Sequence, residues 1–173
     1  NATLTIAAPE EASATTSGTK VISATNTIIS DASCNLIAAV IPSGAAPVSG
    51  NVSATVTITS TVQTSANGSP YVQRHYDIVP STNASTATAT LTLYFTQAEF
   101  TAYNAAPNHG TNLPVDAADA ANNKSNLRVF QFRGTGTNPN NYTGTRLEID
   151  PADNLIIWNG TYARWEITFS ITG

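Results

Sequence analysis

The chain has 173 residues, a formal net charge of −4 and only 10% charged residues, against roughly 25% in an average soluble protein. Its seven Lys and Arg form no cluster, which argues against nucleic-acid binding, and no apolar run approaches the ~20 residues of a membrane helix. Polarity is carried instead by hydroxyls, with 27 threonines, a composition that points to an exported β-protein built as one domain with a sizeable core.

Residues 1–8 alternate polar and apolar, so Leu4 and Ile6 share one face of a short strand. Residues 9–18 have no periodicity and the composition of a linker. The expected organisation is therefore an N-terminal strand with a flexible tether over 1–18 and a β-domain over 19–173. Val21-Ile22 and Ile28-Ile29 are two short strand candidates around a turn. Cys34 is the one cysteine, so no internal disulfide forms. Next to Leu36 and Ile37, it is expected to be a small buried residue without a reactive thiol.

Residues 35–41 are continuously apolar, as in a strand covered on both faces. Residues 50–59 alternate cleanly, with Val52, Ala54, Val56 and Ile58 on one side and hydroxyls mostly on the other. Asn67-Gly68 is a hairpin signal. Residues 71–80 and 86–99 read as two long strands joined by the polar turn 81–85, with the other strands laid around this pair. Thr96-Gln97-Ala98-Glu99 has the form of a capping box opening a short helix over 96–104. Phe100 and Tyr103 lie on one face of that helix. An alanine-rich second helical turn is expected over 116–123. Further strands are expected over 127–132, 145–149, 154–158 and 164–171. In the last, Trp165, Ile167, Phe169 and Ile171 share a face. The pattern as a whole predicts an antiparallel β-sandwich, Ig-like or jelly-roll, with one or two helical turns in its connections.

The densest charge, Arg74, His75 and Asp77, sits within the strand read over 71–80. Alternation puts Arg74 with Tyr76 on one face and His75 with Asp77 on the other. An acid–base site is one reading. A polar network that holds strand register, with Arg74 paired to a carboxylate on the adjacent strand, is the favoured one, since no nucleophile motif accompanies the group. Asp150 and Asp153 place carboxylates in a turn, where they serve either as Asx-turn acceptors or as oxygen ligands for Ca²⁺. Tyr142, Tyr162 and Trp158 are candidates for aromatic stacking on sugars, whereas Trp165 belongs with the core.

Several longer motifs carry a resemblance. They are Cys34-Asn35-Leu36-Ile37-Ala38, Ile41-Pro42-Ser43-Gly44, Tyr71-Val72-Gln73-Arg74-His75-Tyr76-Asp77-Ile78-Val79-Pro80, Leu91-Thr92-Leu93-Tyr94-Phe95-Thr96-Gln97-Ala98-Glu99-Phe100, Ile149-Asp150-Pro151 and Trp165-Glu166-Ile167. Over roughly residues 34–173 the chain resembles a β-domain from the C-terminal region of large secreted cell-surface proteins of Bacteroidetes-type bacteria. The resemblance implies secretion and surface display, and brings no activity or catalytic residue with it. The expected role is a non-catalytic structural or adhesive module, in which the strand of Leu4 and Ile6 packs on its own domain, links to an upstream domain, or is donated to a neighbouring subunit so that a filament forms. The alternative is a carbohydrate-binding module for a surface glycan, in a calcium-dependent form if Asp150 and Asp153 bind the ion.

Overall fold

The structure, a computed structural model, describes residues 9–173. The strand expected at Leu4 and Ile6 lies outside the described residues. The fold is an antiparallel β-sandwich. One sheet has three strands in the order β1 (Thr16–Ile22), β4 (Gly50–Ile58), β7 (Arg74–Pro80). The facing sheet has five, in the order β11 (Ile156–Asn159), β12 (Arg164–Thr172), β8 (Thr88–Thr96), β3 (Leu36–Pro42), β2 (Thr27–Ser30). Two ribbons complete the molecule, β5 (Gln63–Thr64) with β6 (Pro70–Tyr71), and β9 (Val129–Phe132) with β10 (Arg146–Ile149).

Alternation decides what each strand buries. Val52, Ala54 and Val56 of β4 turn inward, as do Ala89, Leu91, Leu93 and Phe95 of β8 and Trp165, Ile167 and Phe169 of β12. β3 is buried on both faces from Leu36 to Val40, in keeping with its unbroken apolar sequence. On the outward faces, hydroxyls pair across strands, Thr92 with Thr168 and Thr19 with Ser53, each at 2.8 Å. The one α-helix, α1 (Gln97–Ala105), begins where the capping box places it. The Thr96 hydroxyl accepts from the Glu99 amide, and the Glu99 carboxylate accepts from the Thr96 amide. Phe100 drops into the core and stacks on Trp165 at 5.8 Å.

Four expectations need correction. The strands read over 71–80 and 86–99 do not pair with each other. β7 pairs with β4 and β8 pairs with β3 and β12, so the turn between them crosses from one sheet to the other. Both strands carry an apolar face, and these faces meet across the sandwich, with the Tyr76 and Phe95 rings 5.7 Å apart. Residues 72 and 73 also separate β6 from β7.

Residues 9–18 are not a tether, and a boundary at residue 18 falls inside β1. Ala12 is 1% exposed and sits in the core. Its amide donates to the Leu36 carbonyl at 2.9 Å, while the Leu36 amide donates to the Glu10 carbonyl at 2.7 Å. β1 then pairs with β4 from Thr16 opposite Val56 to Ile22 opposite Gly50. As an edge strand, β1 carries a polar sequence that periodicity does not reveal.

Cys34 is exposed, at the tip between β2 and β3, with φ +68°. The buried strand starts only at Leu36, and Asp31 shapes the tip by accepting the Ser33 and Asn35 amides. Residues 116–123 form turns rather than a helix, because Asp119 and Asn122 take left-handed conformations. The Asp119 carboxylate accepts the Asn123 and Lys124 amides and starts a 3₁₀ turn over Asn123–Asn126 instead.

The docking of β1 has a direct test. A Cβ added at Gly18 would lie 2.1 Å from the Ser30 carbonyl oxygen. Gly18→Ala is expected to destabilise the fold by at least about 1–3 kcal/mol, the usual cost of overpacking, measured by urea unfolding. A neutral substitution would mean that residue 18 is not held against β2.

Candidate functional site

The candidate site is built along β7. Residues of even number turn their side chains into the sandwich, and odd residues turn theirs out. Arg74 is 4% exposed. An unpaired buried charge is costly, and here the partner is Glu99, whose Oε1 receives the Arg74 Nε hydrogen at 2.8 Å. The expected carboxylate on an adjacent strand is thus replaced by one on the first turn of α1. Glu99 was legible in the sequence only as half of the capping box. Its second role follows from the first. The Thr96 amide takes Oε2 at 2.8 Å and fixes the carboxylate, leaving Oε1 for Arg74.

Tyr76, next on the same face, donates its hydroxyl hydrogen to the Tyr94 carbonyl on the opposite sheet. Burial holds its phenol well above the usual tyrosine range. Tyr94 is likewise pushed up to about 12, chiefly by burial and then by the Glu166 charge. His75 and Asp77 lie on the outer face, where His75 Nε2 is 3.3 Å from the Thr137 carbonyl and the ring meets Tyr71 edge-on at 6.3 Å. Arg74, His75 and Asp77 therefore do not form one group: the arginine faces the core and the other two face out.

β7 has a strand neighbour on one side only. Beside its other edge, between the two sheets, a cleft of about 980 Å³ reaches the β9–β10 ribbon. Its walls include Tyr76 and Ile78 of β7, Leu91 and Leu93 of β8, and Phe130 and Phe132 of β9. Its volume is at the upper end of the range for ligand pockets, and it extends from the core around β7 to the outward-facing His75 and Val79. Arg74 Nη1, Gln131 Oε1 and Arg133 Nε belong to residues on its walls. These three atoms are buried and have no hydrogen-bond partner among the described residues.

The aromatic candidates do not assemble into one platform. Trp158 packs edge-to-face on Trp165 at 5.4 Å, and Tyr162 is covered by the Arg164 guanidinium at 4.6 Å. Tyr142 sits apart, against Phe132 at the cleft. Asp150 is ion-paired with Arg128 Nη1 at 2.9 Å, and Asp153 opens a short 3₁₀ turn, Asp153–Leu155. Among the described residues no group of three or more His, Cys, Asp or Glu side chains converges.

Comparison with family models, with curated proteins and with solved structures found no match.

The buried pair and the outer carboxylate can be tested separately. Glu99→Gln preserves a side chain able to cap Thr96 but leaves the Arg74 charge uncompensated. It is expected to cost about 3–5 kcal/mol, the usual effect of breaking a buried pair, and adding Arg74→Met should recover part of the loss in denaturant unfolding. Asp77 behaves oppositely. Burial raises its carboxyl above the ordinary value, with His75 partly offsetting this. The folded state then holds the Asp77 proton more tightly than the unfolded chain does, so this contribution is present at low pH and lost as pH rises through the folded value. Asp77→Asn is expected to raise the melting temperature slightly at pH 7 and to leave it unchanged below the carboxylate range.

Proposed function

We propose that the protein is a non-catalytic, secreted cell-surface module with a structural or adhesive role. It assembles with copies of itself by strand donation from residues 1–8. One observation carries this reading: a long strand edge, β7, has no neighbour and borders a large apolar cleft within the sandwich. Open edges accept added strands through main-chain hydrogen bonds, and proteins that do not use them normally block them. The hydroxyl-rich, charge-poor composition and the family resemblance of residues 34–173 support export and display. The glycan-binding alternative rests on Tyr142, the one candidate ring beside the cleft, and binding on a glycan array would favour it.

The test is removal of residues 1–8. Deletion stops there because Ala12 and β1 belong to the fold. The full chain is expected to form concentration-dependent oligomers or filaments by light scattering and electron microscopy. The shortened chain is expected to remain folded and monomeric. A full chain that is monomeric at every concentration would refute the proposal.

A further inference from the structure

We infer that the acceptor for the donated strand is the cleft along the free edge of β7, and that its occupant is residues 1–8 of a second copy, with Leu4 and Ile6 turned into the core. This rests on the assembly reading above and identifies the surface it needs.

The register of β7 shows which backbone groups are available. The Thr59 amide donates to the Gln73 carbonyl, and the Ser81 amide donates to the Asn51 carbonyl. In an antiparallel ladder such pairs recur every second residue. Residues 75, 77 and 79 therefore direct their backbone groups to β4, and Arg74, Tyr76 and Ile78 direct theirs to the free edge. Successive free sites lie two residues apart, roughly 6.8 Å. A compact small molecule does not match a row of amides and carbonyls at that spacing, but another strand does. The side chains of the same three residues turn into the sandwich, so a strand added here would direct alternate side chains into the same space. The unpartnered atoms on the walls include donors, Arg74 Nη1 and Arg133 Nε, and an acceptor, Gln131 Oε1. A peptide backbone carries both complements.

Residues 1–8 fit this place in length and pattern. β7 has seven residues. The segment has Ala2, Leu4, Ile6 and Ala8 at alternate positions, with Asn1, Thr3, Thr5 and the small Ala7 between them and no charged side chain. That is the alternation of β4 and β8, the strands that line the same core.

The point of departure favours a second copy over the same one. Trp165 faces the core, so its neighbour Arg164 projects from the outer face of the five-stranded sheet, where its guanidinium stacks on Tyr94 at 4.7 Å. Arg164 Nη1 donates to the Pro9 carbonyl at 3.0 Å. Residue 9 is thus held on the outside of the five-stranded sheet, and the cleft opens on the inside, against the other sheet. Eight residues extend roughly 26 Å at most. A neighbouring copy presents its cleft without the donor strand having to round its own sheet first. Donor and acceptor are also different surfaces of the molecule, so the contact is head-to-tail and propagates rather than closing as a symmetric dimer.

The test is hydrogen exchange on the full chain, read at the amides of Arg74, Tyr76 and Ile78. These amides are expected to exchange more than about tenfold more slowly in concentrated, assembled protein than in dilute monomer, while β8 amides stay unchanged. The variant Leu4→Asp/Ile6→Asp is expected to lose both assembly and this protection. Assembly with the three amides still exposed would overturn the acceptor assignment and leave the assembly reading intact. Protection already complete in dilute monomer would overturn it too, by showing that the chain fills its own cleft. Absence of assembly at any concentration would instead remove the reading on which the assignment rests.

Discussion

The ion pair between Arg74 and Glu99 is the contact on which the arrangement around β7 depends. It joins the first residue of β7, in the three-stranded sheet, to the first turn of α1, which continues directly from β8 in the five-stranded sheet. Two charges buried this deeply add little net stability, because desolvation offsets their attraction. Their effect is on geometry. The Glu99 carboxylate is already held by the Thr96 amide, so the arginine meets a partner with a fixed position. Tyr76, two residues on, reaches the Tyr94 backbone in the same direction. Together they set the separation of the two sheets at one end of β7.

At that end the space between the sheets is filled by rings. Tyr76, Phe95, Phe100, Trp165 and Trp158 succeed one another at centroid distances of 5.4 to 6.0 Å, and aromatic contacts of this kind add to the area they bury. The sheets, however, are unequal, three strands against five. The β9–β10 ribbon covers part of the difference without pairing to β7. What is left is a cleft bordered on one side by a complete, unpaired strand edge. The same ion pair anchors one end of that edge to the first turn of α1.

The outer faces answer a different requirement. Threonine and serine hydroxyls pair across strands, and lysine and arginine are few, so the sheets are polar without being strongly charged. Two of the arginines are spent inside the fold. Arg74 holds Glu99, and Arg164 lies between the Tyr94 and Tyr162 rings with Glu166 at 2.9 Å. Arg164 also holds the Pro9 carbonyl, so the path of the chain before the first strand depends on it. In this way a buried arginine settles where the described chain enters the domain.

The sequence alone determined the fold class, the alternating faces of β4, β8 and β12, the doubly covered β3, the hairpin at Asn67-Gly68 and the start of α1. Each of these is a local signal, a period or a cap within about ten residues. It also separated Arg74 and Tyr76 from His75 and Asp77, because alternation on a strand is local as well. Partnership was a different matter. That β7 pairs with β4 and not with β8, that Glu99 rather than a neighbouring strand answers Arg74, and that residues 9–18 are docked are all contacts between residues distant in sequence. Polar edge strands such as β1 satisfy themselves through the backbone, which leaves no mark on side-chain pattern. The cleft belongs to the same class, since an unfilled space between two sheets is a property of how many strands each sheet has, and no single stretch of sequence carries that number.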